Sequence, residues 1–267
     1  MDAEPRTVEV CGLRIGYRRA GRGKPLLLLH GGFSDSREWR PQLDGLADEL
    51  DVIAMDCLGC GVSADAPPGF ALAEYADIAA GFLRALGLES AHVGGISFGS
   101  LYALVLYRHH PEAVRSLVLA GAYAGWAGSL AAEEVARRIA WAEGALTRPA
   151  DEWGPDFLAT VYSDPSPELF AEAMEILRDV RPGGFTPVAR TFWQADVRDV
   201  LPTIQVRTLL INGEQDARAT LPVTRQLQSR IPDATLAVVP GAGHGVNGEA
   251  PLAFNTAVQV FLSRVPG

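Results

Sequence analysis

Ser97 lies in Gly95-Ile96-Ser97-Phe98-Gly99, with a glycine two residues away on each side. The apolar run His92-Val93-Gly94 precedes it, and Ser100-Leu101-Tyr102-Ala103-Leu104-Val105-Leu106, which reads as a helix, follows. At a strand-to-helix junction this spacing predicts a sharp turn that holds the serine in a strained conformation, tolerable only if its neighbours lack bulky Cβ atoms. The serine Oγ then projects above a sheet edge at the start of a helix. That chemistry is nucleophilic: the hydroxyl attacks a carbonyl once a base accepts its proton and an acid holds that base in the right tautomer.

The base can be sought by elimination, because the chain has five histidines. His109 and His110 end the helix after Ser97, far from the turn. His92 starts the preceding strand and reads as structural, and His30, just before Gly31-Gly32, reads as a brace for its loop. His244, in Val239-Pro240-Gly241-Ala242-Gly243-His244-Gly245, leaves the carboxyl end of a late strand, on the sheet edge that presents Ser97. It is the candidate base. For the acid, Asn212-Gly213-Glu214-Gln215-Asp216 leaves another strand on that edge, and Asp216 is favoured because the chain has left the sheet by then. Glu214 sits closer to the strand and reads as a loop brace, while Asp196 and Asp199 are less well placed.

Attack on a carbonyl also creates an oxyanion, which backbone N–H groups must hold. Phe98, first in the helix after Ser97, supplies one donor. The other is expected from His30-Gly31-Gly32-Phe33, at Gly32, where the absent side chain lets the backbone approach a ligand. The loop Asp56-Cys57-Leu58-Gly59-Cys60-Gly61-Val62-Ser63 has glycines but neither a dinucleotide nor a phosphate-loop spacing, so it reads as a tight turn that supports its neighbours.

The elements needed to position these groups follow from the apolar pattern. Residues 7–20 alternate as a hairpin, whereas Pro25–Leu29, Asp51–Met55, Ala91–Val93, Val114–Leu119, Val206–Ile211 and Ala234–Val239 are short, mostly apolar strands. Continuous apolar strands belong to a sheet covered on both faces. Helical spacing lies between them, at Trp39–Leu50, at Leu72–Leu86, after Ser97, and near Pro251–Leu262. The alternation predicts an α/β fold, a doubly wound, mostly parallel sheet. From residue 123 to 201 strands give way to helices such as Ala132–Glu143 and Pro167–Leu177. We expect a core of residues 1–122 and 202–267 with a helical cap, 123–201, inserted in it. Four of the five tryptophans, Trp126, Trp141, Trp153 and Trp193, fall in this segment. Phe33, Trp126, Trp141 and Trp193 are the candidate substrate-contacting side chains, although packing on the core would account for the tryptophans equally well.

Composition narrows the function. The 267 residues are 48% apolar, enough for a full core, and 32 acidic against 23 basic residues give a net charge of -9. Nucleic acid and anionic membrane are poor partners for such a surface. Cys57 and Cys60 form a C-x-x-C pair without the second pair or nearby histidines a metal site needs, so no metal or cofactor is expected. Residues 1–6 lack a secretory pattern and no apolar run reaches about 18 residues, which makes a cytoplasmic protein the default expectation. Nothing tips oligomeric state between monomer and homodimer.

Taken together, the matches from His30-Gly31-Gly32 through Asp56-x-x-Gly59-x-Gly61-x-Ser63 and the serine turn to Gly213-Glu214-x-Asp216 and Gly243-His244-x-x-Asn247-x-Glu249-x-Pro251-x-x-Phe254-Asn255 span nearly the whole chain. They resemble the α/β-hydrolase superfamily, specifically the capped group of enol-lactone hydrolases, small esterases, cofactor-free perhydrolases and C–C bond hydrolases. That resemblance implies Ser97 as nucleophile, Asp216 as acid, His244 as base, and Gly32 with Phe98 as oxyanion hole. Relatives usually carry proline or arginine and a polar residue where this chain has Leu58 and Cys60, a difference that bears on the pocket wall. A serine nucleophile argues against the dehalogenase and epoxide-hydrolase branches, which attack with aspartate. The expected reaction is hydrolysis of a small, partly apolar ester or lactone. Hydrolysis of a C–C bond in a dienoic or β-diketone-like acid is an alternative, with Arg137, Arg138, Arg190 and Arg198 available to anchor a carboxylate. A ligand-binding receptor that keeps the fold without turnover is another.

Overall fold

The computed structural model describes residues 3–265; Met1, Asp2, Pro266 and Gly267, at the ends of the expected core segments, lie outside the described residues. The strands are β1 (Arg6–Val10), β2 (Leu13–Gly21), β3 (Lys24–Leu29), β4 (Leu50–Met55), β5 (Ala91–Ile96), β6 (Val114–Ala120), β7 (Thr208–Gly213) and β8 (Ala234–Val239). They form one sheet in the order β1-β2-β4-β3-β5-β6-β7-β8. Pairings from β4 to β8 are all parallel, and the β1–β2 hairpin adds antiparallel pairs at one edge. Cys11 and Gly12 close that hairpin with φ of 51° and 75°, the left-handed pair that a two-residue turn between twisted strands requires.

Helices cover both faces. They are α1 (Arg40–Gly45), α2 (Leu72–Ala85), α3 (Phe98–His109), α4 (Trp126–Ser129), α5 (Ala132–Ala145), α6 (Ala150–Val161), α7 (Pro167–Arg178), α8 (Pro182–Trp193), α9 (Leu221–Arg230), α10 (Val246–Glu249) and α11 (Pro251–Leu262). The strand period of two divides the core. Leu27 and Leu29 of β3 join Ile78 and Phe82 of α2 and Leu101 and Val105 of α3 in one cluster. Leu26 and Leu28 join Leu43 of α1 and Phe254, Val258 and Phe261 of α11 in the other. This two-faced burial is why β3, β4, β5 and β7 read as apolar runs instead of alternating strands.

The predicted helix over Trp39–Leu50 is shorter in the structure. A 3₁₀ turn spans Ser36–Trp39, α1 stops at Gly45, and β4 already begins at Leu50. Between β6 and β7 the chain forms α4 to α8 and no strand among the described residues. Two of these helices, α6 and α8, tolerate an internal proline, Pro155 and Pro187, and α8 also holds Gly183 and Gly184. No helix of the described residues is long and apolar enough to cross a membrane.

Helix α3 sits unusually close to the sheet. A Cβ on Gly95 would collide with the Gly99 carbonyl, and one on Gly99 would collide with the carbonyl of Leu29 in β3. The backbones touch because neither glycine has a side chain. We predict that Gly99→Ala lowers the unfolding free energy by about 2 kcal/mol or more, because overpacking against backbone atoms cannot relax through a side chain. Urea denaturation checks this, and an unchanged midpoint would contradict the packing.

Candidate active site

Ser97 occupies the junction of β5 and α3 with φ 53° and ψ -112°, a left-handed conformation costly for any residue with a Cβ. Its N–H donates to the carbonyl of Ala120 at the end of β6 (2.9 Å), and its carbonyl accepts from the Ser100 hydroxyl (2.6 Å) and from the Ser100 N–H (3.1 Å). These bonds on both sides of the turn hold the strained residue in place. The N–H of Phe98, first in α3, has no intrahelical partner, as at any helix start.

Asp216 and His244 arrive on two loops that run side by side. Glu214 N–H donates to Val239 O (2.9 Å) and Gln215 N–H to Ala242 O (2.9 Å). Gly213 lets these loops cross closely, since a Cβ there would strike the carbonyls of Ala242 and Gly243. His244 Nδ1 and Asp216 Oδ2 are 2.8 Å apart, and both side chains are almost fully buried. Asp216 Oδ1 accepts from the N–H groups of Arg218 (2.8 Å) and Ala219 (2.8 Å). Burial alone would raise the pKa of this carboxyl, but His244 and the two backbone donors more than offset it and hold it below the usual carboxylate value. With the carboxylate ionised, Nδ1 carries the donated proton, so the neutral ring leaves Nε2 as an acceptor. That Nε2 is buried and has no hydrogen-bond partner among the described residues.

One cavity of about 100 Å³ brings Ser97, His244, Gly32 and Phe98 together. Phe33, Trp126 and Trp193 also line it, and the rings of Trp126 and Trp193 stack with centroids 5.5 Å apart. Trp141 does not line the cavity: it is 37% exposed and stacks on Phe157 at 5.5 Å. Trp153 packs on Phe33 at 5.4 Å and is buried behind the wall. Phe33 itself takes φ 61°, which turns its ring into this aromatic group. The helical segment supplies much of the remaining wall through Phe157, Leu158, Leu169 and Phe192.

Several further residues support this geometry. Gly121, at φ 48°, follows β6, and a Cβ there would stand 2.8 Å from His244 Cε1 and 2.9 Å from its Nδ1. Glu38 accepts from the Gly31 N–H (2.6 Å), lines the cavity, and has its pKa raised, chiefly by burial. Glu249 ties the histidine loop to the helical segment, accepting from Gly243 N–H (2.7 Å) with one oxygen and from Ser163 and Asp164 N–H (2.7 and 2.6 Å) with the other. Sequence carried no signal for Gly121 or Glu38, whose roles depend on long-range contacts.

The other candidates have local partners. His30 meets Gly31 O of its own loop (2.7 Å) and accepts from Cys57 N–H of the loop after β4 (3.1 Å), and buried His92 meets the Ser116 hydroxyl at 2.8 Å. Glu214 accepts from Gly241 N–H (3.1 Å), while Asp196 pairs with Arg198 and Asp199 with Arg108. In the loop after β4, Asp56 accepts from the N–H groups of Ser36 (2.8 Å) and Val62 (3.0 Å), a supporting role. Cys57 and Cys60 are buried thiols whose pKa values burial pushes well up. Leu58 between them is fully buried.

Residues 24–251 match the family model described as alpha/beta hydrolase fold. The chain belongs to the α/β-hydrolase family. Among curated relatives, it is 32% identical over 263 residues to a protein of Azorhizobium caulinodans provisionally named carbamate hydrolase RutD, covering 93% of this chain and 95% of that one. It is 30% identical over 284 residues to the 2-hydroxymuconate semialdehyde hydrolase of Pseudomonas sp. strain CF600, covering 97% and 93%. Among solved structures, a thermophilic esterase from Thermogutta terrifontis, with malate bound, superimposes with a TM-score of 0.89 at 24% identity over 98% of this chain and 99% of that one, which shows the shared fold.

The Asp216 shift fixes the sign of one pH effect. A carboxyl whose folded pKa is depressed contributes stability that is complete above its unfolded pKa of about 4 and is lost as pH falls through the lower folded value. We therefore expect the stability advantage of the wild type over Asp216→Asn to shrink as pH falls below 4. Urea titrations across that range check it; an advantage that stays constant down to pH 2 would contradict the ionised pair.

Proposed function

We propose that this α/β-hydrolase family member is a serine hydrolase that cleaves a small, partly apolar carboxylic ester or lactone through an acyl-enzyme. The observation that carries the reading is the meeting in one cavity of a strained serine with a histidine whose far nitrogen is bonded to a buried carboxylate. Ser97 Oγ attacks the carbonyl carbon while His244 Nε2 takes its proton. Asp216 keeps Nδ1 protonated and stabilises the imidazolium that forms. The N–H groups of Gly32 and Phe98 hold the oxyanion; Gly31 N–H cannot contribute, since Glu38 already accepts it. His244 then protonates the leaving oxygen, and a water attacks the acyl-enzyme by the reverse path to release the acid. Residues 123–201 act as a cap, and Phe33, Trp126 and Trp193 form an apolar wall that suits a compact substrate.

A second reading uses the same residues on a C–C bond. It is supported by the relative named for 2-hydroxymuconate semialdehyde, a compound that has a carboxylate and an aldehyde but no ester to cut. Both readings require Ser97 and a correctly placed imidazole.

Turnover of p-nitrophenyl butyrate tests the reading. We expect Ser97→Ala to lower kcat by about 10³-fold or more while leaving the melting temperature within a few degrees. Gly121→Ala, whose new Cβ pushes on the imidazole, should lower kcat at least tenfold. A folded wild type without turnover would point to a binding role, and a Ser97→Ala variant as active as wild type would overturn the mechanism.

A further inference from the structure

Arg218 follows Asp216 by two residues, and its backbone N–H helps hold that carboxylate, yet its side chain goes elsewhere. The guanidinium lies over the Phe157 ring, 5.1 Å from the centroid, and its Nη1 donates to the Thr160 hydroxyl at 2.9 Å. Both partners are on α6, so Arg218 bridges the loop of Asp216 to the helical segment. It lines the same cavity as Ser97 and His244.

What separates Arg218 from the four arginines of residues 123–201 considered as anchors is that it lines the cavity without a counter-charge among the described residues. Arg137 and Arg138 share Glu134, Arg190 pairs with Glu143, and Arg198 pairs with Asp196. These four were the anion anchors offered by the sequence, and each is already occupied. Arg218 has no carboxylate within ion-pair distance among the described residues, and Thr160 takes one of its five guanidinium N–H groups. Burial lowers its pKa from the ordinary guanidinium value, and neighbouring Arg138 acts in the same direction, whereas Tyr123 and Asp216 oppose it. A cation in that state gains from an anion placed beside it, since charge-assisted hydrogen bonds to a guanidinium are stronger than neutral ones and are often bidentate.

The wall beside it is equally suited. Tyr123 lines the cavity, and its buried hydroxyl accepts from Arg138 Nη1 at 3.0 Å, which leaves its own proton to donate. Arg138 also holds the Arg218 carbonyl through Nη2 at 3.3 Å and stands over Trp126, 5.7 Å from the ring centroid. The backbone that carries Arg218 is thus tethered at both its N–H and its carbonyl.

We propose that Arg218 binds a carboxylate of the substrate, so that the compound cleaved at Ser97 is an organic acid with its scissile carbonyl a few bonds from the charged end. This rests on the hydrolase reading for the identity of the reaction, but the anchor itself needs no turnover. The site would take an acidic ester, lactone or keto acid and discriminate against its uncharged amide.

The test measures binding to the full chain carrying Ser97→Ala, by isothermal titration calorimetry, with the C4 to C6 dicarboxylates succinate, glutarate and adipate and with their diamides. At least one dicarboxylate should bind tenfold or more tighter than its diamide. Adding Arg218→Met, which keeps an apolar stem over Phe157, should cut that ratio at least tenfold, while Arg218→Lys should restore part of it. Thermal melts confirm that each variant is folded. Absence of a carboxylate preference throughout the series, or a preference that survives Arg218→Met, would overturn the proposal. If the preference depends on Arg218 but Ser97 proves dispensable for turnover, the anchor stands and the serine mechanism falls. Ser97-dependent turnover without the preference removes the anchor alone.

Discussion

The structure depends on how closely α3 approaches the sheet. Gly95 and Gly99 allow the first turn of that helix to lie against the ends of β5 and β3 without intervening side chains, and Ser97 is bent to φ 53° between them. A serine in this conformation costs of order 1–3 kcal/mol and persists only where its surroundings over-determine it. Here the Ala120 carbonyl, the Ser100 hydroxyl and the buried apolar side chains of α3 do so. The same turn places Ser97 at the cavity together with Phe98, the first residue of α3.

Everything else at the site is aligned to that fixed point by loop-to-loop hydrogen bonds. His30 and Glu38 shape the loop of Gly31 and Gly32, one through its ring and the other through a carboxylate on the Gly31 N–H. Glu249 joins the histidine loop to residues 163 and 164 and so ties these two segments to each other. Gly121 leaves the imidazole just enough room beside β6. Preorganised donors and acceptors of this kind avoid reorganisation during reaction, which is where most of an enzyme's electrostatic advantage arises.

The parts of this arrangement legible in the sequence were those carried by local pattern. Apolar runs revealed the strands because both sheet faces are covered, and the glycines around Ser97 revealed the turn because its geometry excludes a Cβ. His244 and Asp216 followed from loop position, and the structure pairs them at 2.8 Å. The α1 boundary was misjudged because Gly45 ends the helix five residues before the apolar pattern of β4 begins. Trp141 is a wall candidate by residue type alone, yet it stacks on Phe157 and does not line the cavity. Arg218 escaped notice for a different reason. The role we propose for it rests on a missing ion pair among the described residues, and such an absence has no signature in one dimension.

The most direct test of the central claim, that Ser97 is an activated nucleophile, is intact-protein mass spectrometry after brief exposure to a fluorophosphonate. A single adduct is expected on the wild type, mapped to the peptide bearing Ser97, and none on Ser97→Ala. Equal labelling of both proteins, or no labelling of a folded wild type, would contradict it.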